Sequence, residues 1–262
     1  MNAHTQDEFI SPYEAEHIIE GLEPVDLKEY GSKQWFSNHE KIDRLNIQAH
    51  KNAMGGSEEY IMDSFVTAGK INVLVQSLLT AEAWKEKVFP IVSGQVAKMS
   101  TFRSYVCVYH EATCCNLLEV LLYHRTAVSS DEDALVELID YCYRKLLGVA
   151  KLTDQIEKAQ KEKPDPMAAK TLLDRTPKQE LEDQAAEIER ACAMAALSLL
   201  RFVTDYMQEL SVPVVHQMME NNDLPCILVP ILELKPWIRL DARGNKEKFE
   251  DQKWQPWPVK EQ

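Results

Sequence analysis

"ENNDLPCILVPILELKPW", residues 220–237, decides how the chain is read. A polar stop gives way to Leu-Pro, then to an apolar run that ends at Trp237. The same pattern occurs upstream in "TAGKINVLVQSLLTAEAW", residues 67–84, at a constant offset of 153 and without a gap. Ile71 falls on Leu224, Leu74 on Ile227, Val75 on Leu228, Leu78 on Ile231, Leu79 on Leu232 and Trp84 on Trp237. A unit that recurs at fixed spacing implies supersecondary blocks that stack, because one block cannot bury its own apolar faces.

Working outward, the rest of the chain is poor in breakers. Only 8 glycines occur in 262 residues, and no proline lies between Ile91 and Lys163. Such stretches favour long helices over many short strands. Ser11-Pro12 reads as an N-cap with proline in the first turn, and Gly21 as the end of that helix. Residues 38–54 place Ile42, Leu45 and Ala49 on one face, before Gly55-Gly56. Ser57 is expected to cap a short helix with Ile61, Phe65 and Val66 inward, ended by Gly69, and the helix 71–84 follows. In 102–124, Phe102, Val106, Tyr109, Thr113, Leu117 and Val120 step by three and four, and Leu118, Leu121 and Leu122 widen the stripe. This helix should be buried on most sides. Ser130 or Asp131 caps the next, with Leu135, Leu138, Ile139, Cys142 and Leu146 inward.

The segment 151–179 changes character. It is charged, holds three prolines and shows little periodicity, so it reads as a mobile surface insertion with frayed helix at both edges. Helix resumes near Gln179, with Ile188, Cys192, Ala195, Leu199, Phe202, Tyr206 and Leu210 on one stripe. The succession of short, medium and long helices predicts an all-α fold, an armadillo/HEAT-like helical solenoid of about three irregular repeats. In the second unit the short helix is expected to be lost or altered. The expected division is an N-terminal helical cap over 1–56, repeats over 57–239 and a polar tail over 240–262, continuing into a C-terminal region. A plain irregular helical domain is the alternative. In a solenoid the third helices line a groove, and Asn116, Glu119, Tyr123, Arg201 and Asp205 are the candidate partner-binding positions. An ordinary solvated helix face is the competing explanation for each.

Acidic residues outnumber basic ones, 42 to 29, giving a formal charge of −13. That field disfavours a phosphate backbone as partner. The N-terminus has no signal-peptide pattern and no apolar run approaches a membrane span, so a cytosolic chain without membrane insertion is expected. Six cysteines occur with no Cys-x-x-Cys pair, mostly among apolar residues, as small buried hydrophobes. "YHEATCC", residues 109–115, lacks the second histidine of His-Glu-x-x-His. Cys107, His110 and Cys114 could offer three ligands from one helix, but no fourth is indicated, and packing explains them better. No nucleophile motif, phosphate loop or cofactor fold is evident, so no enzyme, no catalytic residue and no cofactor are expected.

Several segments in order resemble the zinc finger MYND domain-containing protein 10 family. They are "EAEHIIEGL" (14–22), "YGSKQW" (30–35), "HEKIDRLNIQA" (39–49), "AWKEKVFP" (83–90), "YHEATCCNLLEVLLYH" (109–124), "LIDYCYRKL" (138–146), "ALSLLRFVTD" (196–205), "NNDLPCILVPILE" (221–233) and "FEDQKW" (249–254). The resemblance implies a cytoplasmic protein, with centriolar satellites or dynein assembly particles as further locations. The implied role is preassembly of outer and inner axonemal dynein arms for motile cilia. Implied partners are dynein chains, chaperones and co-chaperones, and a leucine-rich-repeat assembly factor. The family's zinc belongs to a C-terminal MYND finger whose cysteine set is missing here, so the resemblance implies zinc only outside this sequence.

Overall fold

The computed structural model describes residues 9–56, 58–160, 176–241, 244–250 and 253–257. The first expected helix is present: α1 spans Pro12–Glu20, and Ser11 Oγ accepts the Glu14 amide. α2 (Lys33–Gly55) starts earlier than periodicity suggested, because Ser32 Oγ caps it by accepting the Trp35 amide. Its buried stripe includes Ile42, Leu45 and Ala49. Gly56, at φ +59, supplies the left-handed residue that ends it. Ser57 lies outside the described residues; α3 (Tyr60–Thr67) has Glu59 at its N-cap position, with no side-chain capping bond. α4 (Ile71–Ala83) runs through one π turn, Trp84–Val88, into α5 (Phe89–Val96).

α6 (Thr101–Leu122) is the central helix. It packs against α2, α4 and α9 (Pro177–Asp205) and against a single turn, α7 (Arg125–Val128). Its middle is enclosed on most sides, as expected, but Phe102 is 74% exposed and Tyr109 half-buried. Val106 and Leu117 stay in the core, so the buried surface is centred on the Cys107–Cys115 side rather than on Phe102. α8 (Glu132–Gln160) follows, with Asp131 Oδ1 accepting the Ala134 amide. The expected inner residues, Leu135, Leu138, Ile139, Cys142 and Leu146, are all buried.

The proposed insertion splits into three parts. Residues 151–160 continue α8, 161–175 lie outside the described residues, and 177–179 open α9. Thr176 and Gln179 form a reciprocal capping box there. α10 (Val212–His216) leads through a second π turn, Gln217–Asn221, to α11 (Leu224–Leu234).

Two rows of helices emerge. In one, α4 packs on α8 and α8 on α11. In the other, α2 packs on α6 and α6 on α9. The second row runs parallel: Phe36 meets Arg103 and His39 meets His110, while Glu119 meets Ser198 and Tyr123 meets Phe202. Where the short helix of the second unit was expected to be lost or altered stands the single turn α7, which packs on α3.

The chain is mostly helical but not wholly so. From the end of the expected repeats into the polar tail runs an antiparallel sheet, against the all-α expectation: β1 (Ile238–Leu240), β2 (Lys246–Glu250) and β3 (Lys253–Pro256), in the order β1-β2-β3. Ile238 pairs with Lys248 and Phe249 with Trp254. Trp254 carries Arg239 over its ring at 4.2 Å and donates its Nε1–H to Glu187 Oε1 of α9 at 3.4 Å. The charged residues that hid these strands from a period-two reading line an exposed, two-sided-polar ribbon.

Candidate functional site

Between the two rows lies a cluster of six charges from five segments. Glu82 comes from α4, Lys85 from the π turn, Glu111 from α6, Arg144 and Lys145 from α8, and Glu189 from α9. Lys145 Nζ stands 2.7 Å from Glu111 Oε1 and 2.7 Å from Glu189 Oε1. Lys85 Nζ stands 2.7 Å from Glu111 Oε2 and from Glu189 Oε2, ion contacts by distance. Arg144 holds Glu82 with two bonds, Nε to Oε1 at 3.1 Å and Nη2 to Oε2 at 2.6 Å. Tyr141 Oη donates to Glu111 Oε1 at 2.8 Å. Three acids face three bases, so the cluster is neutral as a whole. Burial alone would raise the Glu111 carboxyl, but Lys85 and Lys145 outweigh it and hold it at about 2. Burial works against charge on both lysines too, yet Glu111 and Glu189 raise their pKa values. This cluster ties α4, α6, α8 and α9 together.

A second buried polar group joins α2 to α6. His39 Nδ1 and His110 Nδ1 are 2.8 Å apart, and His110 Nε2 is 3.7 Å from Cys114 Sγ. Burial lowers His39 to about 4 and His110 to about 3, so both are neutral at pH 7. A consistent arrangement has His110 donating its Nδ1–H to His39 and accepting from the Cys114 thiol. Trp35 stacks on His39, and Tyr30 stacks on Trp84 and donates to the Cys107 carbonyl at 2.9 Å. The adjoining cavity, lined by Val25, Trp35, His39, Ser77, Thr80 and His110, measures about 10 Å³, room for about one water. Cys107, His110 and Cys114 do not converge: Cys107 joins the arrangement through its carbonyl. Among the described residues, no group of three or more His, Cys, Asp or Glu side chains is placed to hold a metal ion.

The five positions expected on a partner-facing surface separate into two sets. Tyr123, Arg201 and Asp205 are exposed at the shared C-terminal end of α6 and α9. There Tyr123 meets Phe202 edge-on at 5.8 Å, Tyr206 Oη donates to the Tyr123 carbonyl at 3.2 Å, and Arg201 pairs with Asp205 at 3.7 Å. Asn116 and Glu119 lie deeper and are half-buried. Burial pushes Glu119 up to about 7, although a hydrogen bond from Ser198 of α9 works the other way. At the opposite end of α6, Phe102 and Tyr105 are exposed, Tyr105 stacks on Tyr109 at 5.0 Å, and Arg103 lies over Phe36 at 5.3 Å. Sequence reasoning missed this aromatic end, having assigned Phe102 and Tyr109 to the core stripe; the signal was the polar cap Ser100, which starts α6 in solvent.

The fold defines a mostly helical protein with many long-range helix–helix contacts. No family model matches the chain, and no solved structure matches it significantly. Among curated proteins it is similar to the zinc finger MYND domain-containing protein 10 homolog of Drosophila melanogaster, 27% identical over 247 residues. The match covers 94% of this chain and 53% of that protein, so the chain spans about half the length of its relative. The likeness inferred from the ordered segments is thereby supported: the chain is like zinc finger MYND domain-containing protein 10. No helix among the described residues is long and apolar enough to cross a membrane.

Proposed function

We propose that the chain is a cytoplasmic scaffold and co-chaperone adaptor for preassembly of outer and inner axonemal dynein arms. The observation that carries this is the likeness to the Drosophila protein over 94% of the chain. The architecture that suits the role is an armadillo/HEAT-like solenoid of about three irregular units: α3-α4-α6, α7-α8-α9 and α10-α11. Their parallel long helices present a broad side-chain surface for extended or helical segments of dynein chains, chaperones and the leucine-rich-repeat assembly factor. Tyr123, Arg201 and Asp205 are the contacts at its C-terminal end, and Asn116 and Glu119 line its floor. Zinc, in this reading, belongs to the family's MYND finger, outside this sequence.

The test is affinity capture from multiciliated cells, comparing the chain with its Tyr123→Ala/Arg201→Ala/Asp205→Ala variant. The native chain should recover dynein chains or chaperones, and the folded variant should recover them several-fold less. Recovery of neither by the folded native chain overturns the proposal and favours a structural half of a longer protein, with function elsewhere.

A further inference from the structure

α4 and α11 are the same element of two blocks, so each reports what the other lacks. In α4, Val73, Val75, Ser77 and Ala81 are buried. The matching positions of α11 are Cys226, exposed, and Leu228, Pro230 and Leu234, half-buried. The cause is local: α4 has α6 of its own block and α8 of the next packed against it, whereas α11 packs on α8 and on the π turn before it. Among the described residues no helix covers its other side. Val229 and Leu232 accordingly stand 57% and 60% exposed, in the middle of an otherwise apolar helix. Cys226, Val229 and Leu232 recur every third residue and share one stripe.

We infer that this outer face of α11 docks an amphipathic helix with a basic flank, carried by another polypeptide. The sisters of the stripe in α4 are Val73, buried, Gln76, exposed, and Leu79, half-buried, so α11 carries an apolar Val229 where α4 turns an amide to solvent. The charge around the stripe chooses the flank. Glu220, Asp223 and Glu233 are exposed at its borders. Asp223 hydrogen-bonds Cys226, which fixes that carboxylate on the open side. A second copy would bring a chain of formal charge −13 against another of −13, an unfavourable approach. This surface is distinct from the α6–α9 end assigned above and stands or falls separately.

The probe is an 18-residue amphipathic helical peptide with a leucine stripe and lysine flanks, set against a peptide with the same stripe and glutamate flanks. Binding is followed by fluorescence anisotropy at physiological salt. The lysine peptide should bind saturably at one site and the glutamate peptide should not. Val229→Glu and Leu232→Glu change exposed residues, so the fold should persist, as circular dichroism would verify. Each should weaken the lysine peptide at least about tenfold, although each adds negative charge. Tyr123→Ala should leave the affinity unchanged. Equal or tighter binding by the glutamate variants would mean generic charge attraction and overturn the inference. So would equal binding of both peptides. Sedimentation showing a dimer that the same variants dissociate would assign the face to a second copy instead.

Discussion

Replacing Glu111 by glutamine keeps the shape of the most enclosed acid and removes its charge. Glu111 is fully buried and touches Lys85 and Lys145 at 2.7 Å each. Without it, buried Lys145, half-buried Lys85 and exposed Arg144 face only Glu82 and Glu189, and the two lysines lose their shared counter-ion. Removing one partner of a buried pair costs roughly 3–5 kcal/mol, because the surviving charge is stranded. For a chain of about this length, 1 kcal/mol moves Tm by roughly 2–4 °C, so a drop on the order of 6–20 °C is expected. Lys145→Met alone should cost a similar amount. The double variant Glu111→Gln/Lys145→Met restores neutrality, with Lys85 and Arg144 against Glu82 and Glu189, and should be no worse than either single change. Urea unfolding monitored by circular dichroism measures all three. A loss below about 1 kcal/mol for Glu111→Gln would show that water enters the cluster and screens it. A double variant that loses the sum of the single losses would show that the groups do not act as a unit.

Acid should act in two stages. Histidines held neutral by burial, His39 and His110, have depressed folded values of about 4 and about 3. Their contribution is intact above the unfolded value near ~6.5 and declines as pH falls below it, by up to about 1.4 kcal/mol per pH unit for each histidine. Glu111, held at about 2 against an unfolded value near ~4.3, adds a second loss as pH falls from there toward 2. Raised values on Lys85 and Lys145 give the opposite sign: their contribution is complete below the ordinary lysine range and is lost at higher pH. Stability against pH in the His110→Gln variant should lose part of the first slope and keep the second; an unchanged first slope would remove the histidine pair from the account. In a separate experiment, thiol titration of the native chain should find one reactive cysteine, Cys226, because the other five are buried. All six should react after denaturation, and a second fast thiol in the native state would contradict the packing.

Much of the helical framework was legible because it rests on local rules. Ser11, Asp131, Gly56 and Gly69 act at the ends where capping chemistry places them, and the stripe from Ile188 through Leu199 is buried as its spacing requires. Residues 151–160 continue α8 into the near edge of the expected insertion. Less local features were misread. Strands β1 to β3 escaped because a short polar ribbon has neither the apolar alternation nor the length that marks a strand. Of the candidate surface, Tyr123, Arg201 and Asp205 were separable from the core stripe by position, whereas the half-burial of Glu119 depends on how closely α9 approaches.

By itself, the sequence determined where several helices begin and end and which of their faces are apolar. These properties are set by caps, breakers and spacing within a few turns of chain. Only the tertiary structure decided that α2, α6 and α9 run parallel in one row, that six charges from five separate segments neutralise one another around buried Glu111, and that α11 keeps one flank uncovered. Such facts depend on which distant segments meet, because a buried charge is tolerable only beside its partner and an apolar face is hidden only when another helix lies against it.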